Sequence, residues 1–142
     1  MDKKELLCEL NKFLSADRIK TFEAVLSNRT RHFTVAVENV FQSHNASAVM
    51  RNCDCFGIQD LHVIANHNAY ELSKDVAMGA EKWVDMHSYF QKENNSQDCI
   101  DTIKSQGFQI VATTPHTSDV LLPEFDVTKK SAFFFGTERD GL

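Results

Sequence analysis

Residues Thr34 to Gly57 read T-V-A-V-E-N-V-F-Q-S-H-N-A-S-A-V-M-R-N-C-D-C-F-G, and the spacing of their apolar side chains changes partway along. Thr34–Val40 carries three valines in alternation, the period of a β-strand. Gln42-Ser43-His44-Asn45 is a polar turn. Beyond it Ala46, Val49, Met50 and Cys53 fall at i, i+3, i+4 and i+7, one stripe of a helix expected over Ala46–Phe56. Asn45 is placed to be the N-cap and Gly57 to end the helix. At roughly 100° per residue, Arg51 lies about 140° from the centre of the stripe and points away from a core. A strand that feeds a helix through a polar turn is where α/β proteins hold ligands. Phe41–Asn45 contains no glycine, so this turn does not cradle a dinucleotide in the Rossmann manner.

The rest of the chain repeats this alternation. Lys3–Leu14 and Arg18–Leu26, with Asp17 as a cap, form two amphipathic helices, and a polar linker, Ser27–His32, follows them. Strands are expected at Asp60–Ala65, Phe108–Thr113 and Ser131–Phe135, with a short one near Trp83–His87. A weak helix over Tyr70–Ala80 and a helix around Cys99, Ile100 and Ile103, capped by Ser96 and stopped at Gly107, lie between them. The all-apolar core of Ser131–Phe135 suits a strand buried on both faces. Asp119–Lys130 is an irregular connection. The expectation is an α/β protein: a parallel sheet with helices on both faces, residues 33–142, behind a helical extension, residues 1–32.

The 142 residues suffice for one domain with a core, and 42% hydrophobic with 25% charged residues is ordinary for a soluble protein. No apolar run approaches a bilayer-spanning length, and the start of the chain is amphipathic, so neither a membrane anchor nor a signal peptide is expected. Cys8, Cys53, Cys55 and Cys99 are scattered; Cys53 and Cys55 point about 200° apart on a helix, which suits neither a disulfide nor a metal. Free thiols in a cytoplasmic protein, with no metal, are the expectation. The net charge of −5 argues against coating nucleic acid by bulk charge. Arg18, Lys20, Arg29 and Arg31 against Glu23 nevertheless leave +3 over Arg18–His32, a local basic patch.

Three strand ends carry residues suited to chemistry. Arg51 is a fixed charge able to bind phosphate or stabilise an alkoxide, and also a residue type common on solvated helices. Phe133-Phe134-Phe135-Gly136-Thr137-Glu138 ends a buried strand in a glycine and then an acid. Ala112-Thr113-Thr114-Pro115-His116 closes another strand at the same edge. No Ser-His-Asp order, CxxC pair, P-loop or HExxH is present.

Taken together these segments resemble a known family. Asn45-x-x-Ala48-x-x-Arg51 is similar to the first motif of the SpoU, or TrmH-type, branch of the SPOUT RNA methyltransferases. Phe135-Gly136-Thr137-Glu138-Arg139-Asp140-Gly141-Leu142 resembles the second, F-G-x-E-x-x-G-L, and Ala112-Thr113 matches a strand-end A-T between them. Arg18-Ile19, Leu26, Arg29 and Phe33-Thr34-Val35 resemble the extension leading into the first strand of tRNA (guanosine-2′-O-)-methyltransferases, and Asp54–Val63 fits as well. Ser43 replaces a proline that relatives often carry. The resemblance covers Arg18 to Leu142.

It implies an α/β-knot fold and methyl transfer from S-adenosylmethionine to a ribose 2′-hydroxyl of RNA. Arg51, Asn45 and Glu138 would be catalytic, Thr113, Gly136 and Leu142 would hold the donor, and Arg18, Lys20, Arg29 and Arg31 would bind RNA. The family's third motif, an I-P-M segment and an S-x-N-x-S helix that forms the knot and much of the dimer interface, has no counterpart before Leu142. The 142-residue polypeptide alone is therefore expected to bind the donor poorly and to be inactive, and the full-length protein to be a homodimer. A D-loop guanosine of tRNA is the expected target, because the short helical extension with its basic patch resembles that of the tRNA enzymes, and 32 residues are too few for the separate RNA-binding domain of ribosomal RNA enzymes. The alternatives are a 23S ribosomal RNA 2′-O-methyltransferase, a non-catalytic RNA-binding module and a small-molecule-binding α/β domain. The last would lack the salt-dependent RNA affinity of the others.

Overall fold

In the computed structural model, which describes residues 2–40, 43–67, 74–114, 120–137 and 141–142, five strands form one parallel sheet. Two helices precede it, α1 (Lys3–Asn11) and α2 (Ala16–Ser27). Asp2 caps α1 in a reciprocal capping box with Glu5, and Ser15 caps α2. Neither helix buries a residue. The body then runs β1 (Phe33–Glu38), α3 (Ser43–Cys55), β2 (Asp60–Ile64), α4 (Lys74–Ala77), β3 (Asp85–Tyr89), α5 (Asn95–Ser105), β4 (Gln109–Ala112) and β5 (Ser131–Phe135).

The strand order is β3-β2-β1-β5-β4. Val35 pairs with Leu61 on one side and with Phe133 on the other, so β1 is the central strand. That position accounts for a departure from the expected alternation: Thr34, Val35, Ala36 and Val37 are all buried. Thr34 resolves the cost of a buried hydroxyl by donating to the Asp60 carbonyl at 2.7 Å. Successive residues of β1 serve two cores. Val35 and Val37 pack with Met50 and Cys53 of α3, with Leu61 and Val63, and with Ala77 and Ala80. Ala36 packs on the other face with Cys99 and Ile103 of α5, Phe108, Ala132 and Phe134.

The α3 stripe behaves as its spacing predicts: Ala46, Met50 and Cys53 are buried, and Arg51 is exposed. Its start does not. The helix begins at Ser43, so Asn45 lies inside the first turn and is not the N-cap. Ser43, His44 and Asn45 are three polar residues in a row and carry no periodic signal to mark the boundary. Similarly, Asn94, not Ser96, caps α5, its side chain accepting from Gln97 N–H at 2.9 Å. Ser15, not Asp17, caps α2. Residues 70–73 of the helix expected over Tyr70–Ala80 lie outside the described residues.

Gly57 ends α3 with φ +71°. A Cβ there would stand 2.5 Å from the Asn28 carbonyl oxygen, because the linker after α2 passes directly against this turn. Thr30 N–H donates to Gly57 O at 2.7 Å, and Gln59 N–H donates to Thr30 O at 3.0 Å. The extension is thus stitched to the amino edge of the sheet.

Candidate active site

Because all five strands are parallel, their carboxyl ends lie along one edge. From β1 the chain moves outward through β2 to β3, then resumes on the far side with β4 and β5. The order reverses between β1 and β5, and a crevice at the carboxyl ends of such strands is the usual ligand site of an open parallel sheet. The exits of β1, β5 and β4, which carry the three sequence segments singled out above, are neighbours there.

Each exit is held by backbone geometry. Thr113 at the end of β4 donates both its N–H (3.1 Å) and its hydroxyl (2.8 Å) to the Phe134 carbonyl, which pins this exit to β5. After β5, Thr137 and Gly141 exchange two backbone hydrogen bonds of 3.0 Å, which hold the two ends of that loop together. Gly136 has no space for a side chain: a Cβ would lie 1.8 Å from Gly141 O. Leu142 is half exposed beside that loop, and Phe135 is 42% exposed. Glu138 lies outside the described residues.

On α3, Asn45, Ala48 and Arg51 follow one another at steps of three and are all exposed. They form one solvent-facing strip on a helix whose opposite side is core. Arg51 is therefore a cation presented to solvent on a rigid element.

The four basic residues of the extension divide into two kinds. Arg18 and Lys20 are exposed on α2. The Arg18 guanidinium lies 5.5 Å from the centroid of the Phe22 ring, which meets Trp83 edge-on at 5.9 Å. Arg29 is different: it is buried, contrary to the expected role as an RNA contact. Its side chain is only 6% exposed. Nη1 donates to Asp54 at 2.7 Å, Nε to Gln59 at 2.5 Å and Nη2 to the Ile58 carbonyl at 3.3 Å, so all its donor directions are turned inward. Arg31 keeps 58% exposure but pairs with both Asp60 and Asp85. Both carboxylates raise the pKa of Arg31, by hydrogen bonding first. Leu26, Arg29, Thr30, Arg31 and Gln59 line an open hollow of about 410 Å³ at the amino edge, away from the strand exits.

Sequence reasoning missed a polar cluster at the carboxyl edge. The Glu38 carboxylate accepts from Asn66 Nδ2 (2.9 Å) and Ser96 Oγ (2.5 Å), and Asn39 Oδ1 accepts from the backbone N–H groups of Asn66 (2.9 Å) and His67 (3.1 Å). The available signal was an acid and an asparagine placed at a strand end, a pair suited to turns. Among the described residues, no group of three or more His, Cys, Asp or Glu could hold a metal, and no helix is long and apolar enough to cross a membrane.

A parallel sheet with its switch point at β1 and β5, covered by helices on both faces, places the protein in the doubly wound α/β class. The chain belongs to the SpoU rRNA methylase family, whose sequence profile matches residues 32–142. A tRNA (guanosine(18)-2′-O)-methyltransferase of Borreliella burgdorferi is 38% identical over 133 residues, 94% of this chain and 59% of the relative. An Aquifex aeolicus protein of the same name is 32% identical over 126 residues, 88% of this chain and 58% of the relative. The crystal structure of the A. aeolicus TrmH/SpoU tRNA modifying enzyme superposes with a TM-score of 0.74 at 31% identity, covering 89% of this chain and 62% of that one. The chain thus spans about three fifths of the length of these relatives.

Proposed function

We propose that the protein takes part in methyl transfer from S-adenosylmethionine to a ribose 2′-hydroxyl of tRNA, with a D-loop guanosine as the target. The observation that carries this reading is that the β1, β5 and β4 exits lie side by side at one edge of the sheet, with Arg51 exposed on the helix that follows β1. The name shared by the relatives from B. burgdorferi and A. aeolicus supports the choice of tRNA and of a guanosine.

The β4 and β5 exits fit the donor. Gly136 offers bare backbone where a side chain would collide, and Leu142 and Phe135 offer exposed apolar surface beside it. Thr113 spends its hydroxyl on Phe134, so its role is to hold the loop in place. When bound, S-adenosylmethionine supplies an electrophilic methyl group. A ribose hydroxyl is a very weak acid, and a guanidinium placed beside it lowers the cost of the developing oxyanion. Arg51 supplies that charge, Asn45 lies on the same strip of α3, and Glu138 follows the Gly136 backbone. The remaining acceleration comes from alignment of the hydroxyl with the methyl carbon.

Arg18 and Lys20 are the RNA contacts of the extension, supported by their exposure. We place the protein in the cytoplasm, a reading supported by four free cysteines. We read the protein as a homodimer. The deciding experiment is Arg51→Ala in the full-length protein with tRNA as substrate. Methylation is expected to fall at least 100-fold while stability changes by less than about 0.5 kcal/mol, as for an exposed residue. Retained turnover would remove Arg51 from the chemistry.

A further inference from the structure

Asn39 occupies the point where the chain turns out of the central strand. Its φ is +51°, in the left-handed region that costs most side chains about 1 kcal/mol or more and that asparagine tolerates best after glycine. Three sets of bonds surround it. Its backbone N–H donates to the Ile64 carbonyl at 2.8 Å, the last residue of β2. Its carboxamide oxygen accepts the N–H groups of Asn66 and His67, the first turn beyond β2. Asn66 in turn donates through Nδ2 to Glu38 and to Ser96 Oγ (2.7 Å), and the Ser96 hydroxyl donates to the same Glu38 oxygen. Ser96 lies in the first turn of the eleven-residue α5, where unpaired backbone N–H groups favour a nearby carboxylate. The exits of β1 and β2 and the start of α5 are therefore bound into one body at the carboxyl edge.

Only residues 40–42 separate Asn39 from α3. The exposed strip of Asn45, Ala48 and Arg51 therefore begins six residues after this left-handed turn out of β1. The apolar side of α3, Met50 and Cys53, is held by the core. We propose that Asn39 is a positioning residue of the candidate active site. Its left-handed backbone and its carboxamide, braced by Glu38, Asn66 and Ser96, set the heading of the chain that carries Arg51. This rests on the reading of that edge as a methyl-transfer site.

The test compares Asn39→Ala and Asn39→Gly in the full-length protein with tRNA and S-adenosylmethionine. Alanine removes the carboxamide and disfavours the left-handed backbone, whereas glycine removes the carboxamide alone. The single-turnover rate at saturation should fall about 10- to 100-fold for Asn39→Ala, the scale expected for a small misplacement, and less for Asn39→Gly. Dissociation constants for donor and tRNA should stay within about threefold, which a general loss of folding would not allow. Amide hydrogen exchange over residues 43–47 and at Asn66 and His67 should quicken in the same order. A wild-type rate in Asn39→Ala, or a lost rate with unchanged exchange at residues 43–47, overturns the proposal. If the wild-type protein methylates no RNA, the proposed function falls, and the exchange comparison still decides whether Asn39 aims α3.

Discussion

Replacing Arg29 by alanine separates two accounts of the basic linker. If the residue faces RNA, its loss weakens binding and leaves the fold intact. The structure requires the reverse. Arg29 is 6% exposed and reaches Asp54, Gln59 and the Ile58 carbonyl. Hydrogen bonds to charged groups contribute about 1.5–3 kcal/mol each, and removing one partner of a buried pair costs about 3–5 kcal/mol. Asp54 retains 31% exposure, so water recovers part of its solvation, and the loss should lie near the lower end, about 3 kcal/mol. For a chain of 142 residues, each kcal/mol shifts the melting temperature by about 3–5 °C, so Arg29→Ala should melt about 10 °C lower. Arg29→Lys should recover only part, since one ammonium cannot match three acceptors held in a planar fork. Urea unfolding followed by circular dichroism measures the loss, and filter binding to tRNA at two salt concentrations measures the RNA contribution. Unchanged stability together with a tenfold loss of salt-sensitive affinity would refute the structural account.

Two other outcomes follow from burial and backbone. His62 is buried between His87 and Tyr89, and burial, with the charge of His87, lowers its pKa from 6.5 to about 4. The unfolded chain then takes up a proton that the folded chain refuses, so this stability is complete above pH 6.5 and declines toward pH 4. Between pH 7 and 5 the loss is about 2 kcal/mol; His62→Gln should flatten that part of the urea-measured profile, and an unaltered slope would exclude His62 as its source. Gly57→Ala should cost about 2–4 kcal/mol, since it adds left-handed strain to a collision with Asn28 O, and normal thermal stability in this variant would contradict the close approach of linker and turn.

What could be read from the residues depended on the range of the interaction. The α3 stripe and the outward Arg51 were legible because both follow from helical spacing within ten residues. The parallel sheet was legible from alternation of strands and helices, and the three strand ends that resemble family motifs are neighbours at its carboxyl edge. Burial of β1 on both faces was not, because its alternating composition does not reveal that β2 and β5 flank it. The surroundings of the linker arginines were hidden for a similar reason. Arg29 and Arg31 look like free charge until Asp54, Asp60 and Asp85 arrive from distant parts of the chain. Asn39 left a mark in the sequence, an asparagine at a strand end, but its partners Asn66 and His67 come from the next strand's exit.

The central place of β1 also bears on how the protein is made. Its partner on one side, β5, is near the other end of the chain: Phe33 pairs with Ser131. At a synthesis rate of about 5–20 residues per second, β1 emerges from the ribosome about 5–20 s before that partner exists. In that interval β1, β2 and β3 can assemble with α3, but the sheet ends at an uncovered edge of Thr34–Val37, an apolar strand with unpaired backbone groups. The strand that anchors the finished molecule is, for that interval, its most adhesive surface, and early shielding by a chaperone would matter most for this segment.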